Sequence, residues 1–192
     1  MISEGGIVVV GVGVRRGVVV VAALGLLTGA AEGDRVRDWA QGRALDGTGG
    51  VVGFEHARVG GEYWVSLPLQ ANVSGEPLTV LRTEWVGVPQ GVRVVGYGVV
   101  GVREMGGYTL LVADDASFAQ DNPGVRVHEQ RPVPVPAHGR ADSYVLARVK
   151  VTGPVQDDLA GYRVWYRQGS VVYRQDLQWK AALRLRPEDE GF

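Results

Sequence analysis

The hydrophobic pattern of the chain changes once, near residue 49. Before that point, residues 17–31 (GVVVVAALGLLTGAA) form a continuous uncharged apolar run with Arg15 and Arg16 on its N-terminal side. After that point, short apolar segments of period two are separated by turn residues at spacings of about 10 residues. The first pattern predicts a membrane-associated helix, and the second predicts a domain built from short β-strands.

The alternation is clearest over residues 62–73 (EYWVSLPLQANV), where every second residue from Tyr63 onward is apolar. Pro68 falls on the opposite face and cannot donate a backbone hydrogen bond, which predicts an edge position or a bulge. Altogether the pattern predicts about seven to nine strands, none of them separated by an amphipathic helix. The further predicted strands are residues 78–86, 92–102, 108–113, 131–136, 144–152, 162–167, 171–175 and 179–185, with residues 168–170 as a hairpin turn.

This arrangement predicts an all-β fold, an immunoglobulin-like β-sandwich over residues 49–186, with a small barrel as the alternative. Residues 67–69 (LPL), 72–74 (NVS) and 77–80 (PLTV) follow one another in a rhythm that resembles exported bacterial immunoglobulin-like domains in a general way. The resemblance covers part of the domain and carries no specific motif. It therefore implies the sandwich fold and assigns no functional residue.

Three further segments flank the predicted sandwich. Residues 1–31 form a signal or anchor segment, residues 32–48 a juxtamembrane spacer, and residues 187–192 a flexible tail. Within the spacer, loose helical spacing is shown by Val36, Trp39, Ala40 and Leu45. The spacing indicates that a membrane helix continues into the spacer.

The apolar run fits either an anchor or a cleaved signal peptide. Residues 17–31 as a helix would extend about 22 Å, which is shorter than the roughly 30 Å hydrocarbon core. Small residues allow cleavage near Ala30 or Ala31 and hence secretion. An anchor would borrow residues 12–14 and would give a single-pass membrane protein with the N-terminus inside and the C-terminal domain outside. Because residues 1–14 fit neither model, a start at a downstream valine codon is a further hypothesis.

Composition narrows the classes of function. The chain has no cysteine, which excludes a disulfide framework, a thiol nucleophile and a cysteine-ligated metal. The formal net charge is -1, so no general attraction to nucleic acid is expected. The basic residues are almost all arginine, which is typical of a GC-rich bacterial genome. We expect an exported bacterial domain that is held together by its apolar core.

No catalytic set can be recognised in the sequence. The three histidines are His56, His128 and His138, and no serine lies in the Gly-x-Ser-x-Gly motif of a hydrolase. The two later histidines, with Glu129 and Met105, could ligate copper or zinc, although their spacing is not that of a tight metal site. The sequence therefore predicts no enzyme, no catalytic residue and no cofactor.

A polar stretch over residues 114–124 concentrates hard oxygen donors. Asp114, Asp115, Asp121 and Asn122 are the weak candidates for a calcium site, since calcium prefers carboxylate and amide oxygens. The stretch departs from the EF-hand spacing, and the alternative is a solvated loop.

Aromatic and basic residues alternate in the second predicted hairpin. The partner-binding candidates are Arg163, Trp165, Tyr166, Arg167 and Tyr173. Arginine and aromatic residues are enriched at recognition surfaces, whereas cation–π packing within the hairpin is the alternative.

These observations favour a non-enzymatic accessory or interaction module of the cell envelope. Such a module would contact the membrane through its N-terminal helix and would bind an unknown protein partner, and no nucleic acid. The alternative is an exported protein that binds a small ligand or a metal ion such as calcium or copper.

Overall fold

The computed structural model describes residues 39–186. Within this part of the chain there are eleven strands and one short helix. The strands are β1 (Ala40–Gln41), β2 (Val51–Ala57), β3 (Glu62–Ser66), β4 (Leu78–Gly87), β5 (Val92–Gly101), β6 (Val112–Asp114), β7 (His128–Glu129), β8 (Val133–Val135), β9 (Ser143–Val151), β10 (Leu159–Gln168) and β11 (Val171–Leu185), and the helix is α1 (Asp115–Asp121).

The strands form two sheets, as the all-β prediction requires. The first sheet has the order β1-β11-β10-β4-β8, with β2 pairing β11 beyond β1, and the second has the order β6-β3-β9-β5-β7. The main buried cluster contains residues of both sheets, including Val65 and Val149 from the second and Val164 and Leu183 from the first. One apolar core therefore lies between two sheets that face each other.

The start of the alternating segment behaves as its pattern predicts. Tyr63, Val65 and Leu67 are buried, while Trp64 between them is half-buried. The regular strand is shorter than predicted, because β3 ends at Ser66, just before Pro68. Beyond it the chain continues through isolated bridges that pair Ala71 with Arg140 and Asn72 with Leu45.

The final hairpin is longer than predicted. The chain reverses at Gly169, whose φ of +57° suits a residue without a Cβ. Residues 171–175 and 179–185 belong to one strand, β11. Two residues of β11, Gln178 and Trp179, lie opposite the single residue Gly161 of β10, where the register shifts. This is a β-bulge, and it keeps β11 continuous while changing the direction in which its side chains point.

The described part of the predicted spacer is extended rather than helical. Ala40–Gln41 pairs in parallel with β11 at Tyr173 and Arg174. The hydroxyl of Tyr166 accepts hydrogen bonds from the backbone N–H groups of Arg43 and Ala44, both at 3.0 Å. We call residues 40–46 the strap. Its tertiary contacts override the loose helical spacing, so the sandwich begins ahead of residue 49.

The strap is also held by a buried amide. Gln175 Nε2 donates to the carbonyl of Leu45 at 2.8 Å, and Gln175 Oε1 accepts from the N–H of Leu45 at 3.1 Å. This two-way bond satisfies both backbone groups of one residue inside the protein.

The edge strand β8 has a proline at its middle position. Val133 and Val135 pair with Val80 and Leu78 of β4, and Pro134 lies between them. The two valines are buried and Pro134 is exposed. Because successive residues of a strand turn their backbone groups to opposite sides, the position of Pro134 is the one whose N–H would point away from β4. Proline removes that donor from the open edge.

The polar stretch predicted as a loop contains the helix α1, which corrects the expectation that no helix follows Leu45. Asp114 caps it by accepting from the backbone N–H of Ser117. Phe118 is the residue that α1 buries, and its ring lies 5.8 Å from that of Trp64. A helix of two turns with one buried residue has too little apolar periodicity to be recognised from the sequence.

The predicted anchor segment (residues 1–31) and the predicted tail (residues 187–192) lie outside the described residues. Within residues 39–186, no helix is long and apolar enough to cross a membrane.

Candidate functional site

The outer face of the first sheet carries a cluster of arginine and tryptophan side chains. Trp165 of β10 lies opposite Arg82 of β4 and opposite Arg174 of β11. The guanidinium groups of Arg82 and Arg163 lie 5.1 Å and 5.8 Å from the centre of the Trp165 ring. We call Arg82, Arg163, Trp165, Arg167 and Arg174 the outer arginine face.

Two of these arginines are paired with carboxylates, one on the neighbouring strand and one on the same strand. Arg163 donates to Asp176 through Nε at 2.7 Å and through Nη2 at 2.9 Å. Its hydrogen bonds lower the pKa of Asp176, and the same bonds raise the pKa of Arg163. Arg82 forms an ion pair with Glu84. The bidentate pair with Asp176 fixes the plane of the Arg163 guanidinium group beside the indole, and the contact with Glu84 anchors one end of the Arg82 guanidinium group.

The other two arginines have no carboxylate partner among the described residues. Arg167 is exposed, and it lies opposite Val172 on β11. Arg174 is half-buried and stacks on Trp39, with its guanidinium 3.5 Å from the centre of that ring. The outer arginine face therefore presents two guanidinium groups that form no ion pair with a carboxylate within residues 39–186, next to a partly exposed tryptophan; Arg174 still lies close enough to Asp176 to help lower its pKa.

The predicted partner-binding set is divided between two faces of the hairpin. Arg163, Trp165 and Arg167 point outward. Tyr166 points into the core, where it is 1% exposed and holds the strap. Tyr173 is half-buried and stacks on Tyr166, with ring centroids 5.4 Å apart. The two tyrosines support the fold and do not lie on the same surface as the arginines.

The residues that sequence reasoning missed on this face are Arg82 and Trp39. Arg82 lies in β4, far from the hairpin in sequence, so its position depends on the register of β4 against β10. The position of Trp39 depends on the pairing of β1 with β11. Neither pairing leaves a local pattern in the sequence.

An open cleft continues from this face past the hairpin turn. It has a volume of about 530 Å³ and is lined by Arg167 and Arg140, by Asp142, and by proline side chains that include Pro134 and Pro136. The cleft extends the positively charged surface over an apolar floor.

The carboxylates of the predicted calcium site have partners within the protein. Asp114 accepts from Ser117 Oγ at 2.6 Å as well as from its N–H. Burial alone would raise the pKa of Asp114, but these hydrogen bonds outweigh it and lower the pKa. Asp115 accepts from Trp64 Nε1 at 2.8 Å and from Arg148 at 3.0 Å. Both groups serve to attach α1 to the second sheet.

The remaining metal candidates do not form a cluster in the described residues. Asn122 accepts from the hydroxyl of Tyr108 at 2.8 Å and forms the C-terminal cap of α1, and Asp121 is exposed. Within residues 39–186, no group of three or more histidine, aspartate or glutamate side chains is placed to hold a metal ion.

A second cleft opens between the two sheets, on the side of the strap. Its volume is about 410 Å³, and Asp46, Ser66, Gln70, Tyr162 and Trp179 are among its lining residues. Nothing in the sequence indicated this cleft, because its walls come from segments distant in the chain.

Comparison of the chain with protein-family models, with curated proteins and with solved structures found no match. Its function is therefore argued from the geometry of these surfaces.

Proposed function

We propose that this protein is a non-enzymatic interaction module of the cell envelope. In this proposal an N-terminal membrane segment carries an immunoglobulin-like sandwich, and the outer arginine face binds an acidic surface of a protein partner. The observation that carries the proposal is that Arg167 and Arg174, beside Trp165, form no ion pair with a carboxylate within residues 39–186.

The strand order supports the immunoglobulin-like assignment. In that fold, strands A, B, E and D form one sheet, and strands C, F and G form the other. If β3, β4 and β5 are taken as B, C and D, and β9, β10 and β11 as E, F and G, the observed neighbours are B-E-D and G-F-C. Each of these six strands then lies in the sheet that the fold requires.

The membrane assignment rests on the apolar run of residues 17–31 and on Arg15 and Arg16. Positive residues on one side of an apolar helix remain inside, so the sandwich would lie outside. Fractionation of the host cells tests this part: full-length protein in the membrane pellet supports an anchor, and a shortened form in the medium supports a signal peptide. Full-length protein in the cytosol would contradict both.

The partner's chemistry follows from the charges on the face. Arg163 and Arg82 form ion pairs with Asp176 and Glu84. Within residues 39–186, Arg167 and Arg174 form none, and Arg174 acts on Asp176 only at longer range. A partner that supplies carboxylates would compensate the latter two, and its apolar or aromatic groups could cover Trp165. Arginine and tryptophan are the residues that contribute most to protein interfaces.

The test is cross-linking of the full-length protein in its native membrane through a photoreactive amino acid at position 165. We expect one stoichiometric adduct, which the double variant Arg167→Glu, Arg174→Glu reduces about tenfold by charge reversal. The matched control is Arg93→Glu, because Arg93 is exposed on β5 in the other sheet. An adduct that survives the double variant, or that Arg93→Glu removes equally, would contradict the proposal.

A further inference from the structure

Three segments meet at one end of the sandwich: the β10–β11 turn, residues 73–77 and residues 136–142. Gln168 Nε2, beside the turn, donates to Ser74 Oγ at 2.7 Å. The backbone N–H of His138 donates to the carbonyl of Ser74 at 3.1 Å. These bonds join the three segments into one surface, which we call the hairpin pole.

The chain also enters the sandwich at the hairpin pole. β1 runs parallel to β11, and Ala40 lies opposite Tyr173, close to the start of β11 at Val171. Seven residues separate Trp39 from the apolar run of residues 17–31, and a chain of that length spans at most about 25 Å. If the apolar run lies in the membrane, the hairpin pole is the end of the sandwich nearer to the bilayer.

The opposite pole lies farther from the bilayer. β4 and β10 have ten residues each, so they extend for about 33 Å. The turn of residues 88–91 lies at their other end, because Gly87 of β4 pairs with Ala160 near the start of β10. A domain that rests on its hairpin pole therefore holds residues 88–91 well away from the membrane.

Two arginines line the cleft of about 530 Å³ at the hairpin pole, and they are Arg140 and Arg167. Both are exposed, and neither forms an ion pair with a carboxylate within residues 39–186. Guanidinium groups bind phosphate well, because their planar forks of N–H donors match its oxygens. Arg167 also borders the outer arginine face, and its five donors allow it to contact two anions.

The acidic residues of the pole indicate which kind of phosphate fits. Asp142 lines the cleft and accepts a hydrogen bond from Ser143 Oγ at 2.9 Å. Glu76 is exposed on the adjoining segment. These two carboxylates offset the two arginines, so the pole does not attract anions strongly over a distance. A phosphate that carries its own cation, as in a zwitterionic phospholipid, fits this balance better than a multiply charged anion.

Apolar groups surround the charged ones. Pro77 and Pro136 line the cleft, and Val73 and Val171 are exposed at the pole. At a membrane interface, apolar side chains reach the boundary of the acyl chains while cations contact the phosphates. The hairpin pole offers both kinds of group on one surface.

We propose that the hairpin pole rests on the membrane surface and that its cleft binds the phosphate of a zwitterionic phospholipid headgroup through Arg140 and Arg167. The headgroup ammonium then lies toward Asp142. This proposal rests on the membrane segment of the proposed function, and it adds an orientation. The strands stand roughly perpendicular to the bilayer, so the outer arginine face is open to a partner from the side.

The test compares labels at the two poles. The chain has no cysteine, so one fluorescent label can be attached through Val171→Cys or through Val88→Cys. The two valines are matched, since they are 42% and 39% exposed and lie at opposite poles. The full-length protein is reconstituted in vesicles of phosphatidylethanolamine and phosphatidylcholine that contain a lipid-soluble nitroxide quencher. We expect the label at position 171 to lose most of its fluorescence and the label at position 88 to keep it.

Flotation of the same vesicles separates the two proposals. Protein that does not float contradicts the membrane segment, and the docked pole is overturned with it. Protein that floats but shows equal quenching at positions 171 and 88, or none at either, overturns the docked pole and leaves the membrane segment intact. Because the vesicles contain no other protein, this second outcome would assign the cleft to a protein partner.

Charge reversal locates the contact in the cleft. Arg140→Glu in the Val171→Cys protein should lower the ratio of docked to undocked domains about fivefold, which is the contribution of one cation near a membrane surface. The control is Arg93→Glu, because Arg93 is exposed on β5 outside the hairpin pole. Vesicles of an uncharged galactolipid, which has no phosphate, should reduce the quenching as Arg140→Glu does. Quenching at position 171 that survives both changes, or that Arg93→Glu reduces equally, would overturn binding of phosphate in the cleft.

Discussion

The two faces of the β10–β11 hairpin are built from the same strands but have different roles. The inner face carries tyrosines whose hydroxyl groups are used inside the protein, as Tyr166 shows by holding the strap. The outer face carries arginines, and two of these, Arg167 and Arg174, have no carboxylate partner in the described structure. The comparison shows that an aromatic residue in this hairpin packs into the core when it points inward and remains partly exposed when it points outward.

The largest expected effect separates the two faces at neighbouring positions. Tyr166→Ala should lower the free energy of unfolding by about 4 kcal/mol, because a buried ring is lost. Tyr166→Phe should cost about 2 kcal/mol, because two backbone N–H groups of the strap lose their acceptor. Urea unfolding measures both. Tyr173→Phe is the control, and a cost equal to that of Tyr166→Phe would contradict the role of the strap.

The second prediction concerns the pH dependence of stability that arises from a tyrosine of the inner face, Tyr162. The pKa of Tyr162 is raised from 10.0 to about 12 by burial, so the folded state favours the neutral phenol. The contribution of the neutral Tyr162 phenol to stability is present in full below its ordinary pKa of 10.0, and it is lost as the pH rises through its pKa in the folded protein. We expect the free energy of unfolding to fall by about 2 kcal/mol between pH 10 and pH 12 from this residue. Burial also raises the pKa of Tyr97, Tyr144 and Tyr166, which adds to the same trend.

Tyr162→Phe isolates the contribution of that phenol. The variant should keep more of its stability in alkaline solution than the parent does, as measured by chemical unfolding across the same pH range. Equal alkaline losses in the two proteins would show that Tyr162 ionises without cost.

A smaller effect is expected from the aromatic residue of the outer face. Trp165→Ala should cost about 1 kcal/mol, because the half-buried ring loses its contacts with Arg82 and Arg163. The same variant should abolish recovery of the partner from native membranes. If Trp165→Ala lowered the free energy of unfolding as much as Tyr166→Ala does, the claim that the outer face contributes less to stability would be contradicted.

The smallest effect concerns the outer ion pair. Asp176→Asn should cost about 0.5 kcal/mol near neutral pH, because the pair with Arg163 is on the surface and screened by water. The hydrogen bond from Arg163 lowers the pKa of Asp176, so this contribution is present above the ordinary pKa of 3.8 and is lost as pH falls through the depressed value. Thermal unfolding at neutral and acid pH should show the difference from the parent disappear in acid.

Local alternation was enough to predict much of the fold. Tyr63 and Val65 are buried as the period-two pattern requires, and the hairpin turn at Gly169 was expected from its residues. The same rule indicates that Trp165 and Tyr166 point in opposite directions, since neighbours in a strand alternate. The prediction that Trp165 and Tyr166 belong to one binding surface therefore conflicts with the alternation rule, which could have been applied to the sequence alone.

The remaining features depend on partners far away in the sequence. Ala40–Gln41 is a strand because β11 is beside it, and its own residues would also suit a helix. The position of Trp179 in the wall of the inter-sheet cleft depends on the bulge opposite Gly161, which arises from a mismatch between two strands rather than from either strand alone. Asp114 and Asp115 resembled metal ligands because their hydrogen-bond donors, Ser117, Trp64 and Arg148, could not be located from the sequence.

The proline in the middle of β8 affects how two molecules can pair along the edge of the first sheet. A sheet grows when an incoming chain finds both a free donor and a free acceptor along its border, and at Pro134 the donor is missing. A second molecule that slides alongside β8 can form only an incomplete ladder there. Copies of this domain packed together would thus touch along this border without extending the sheet from one molecule to the next.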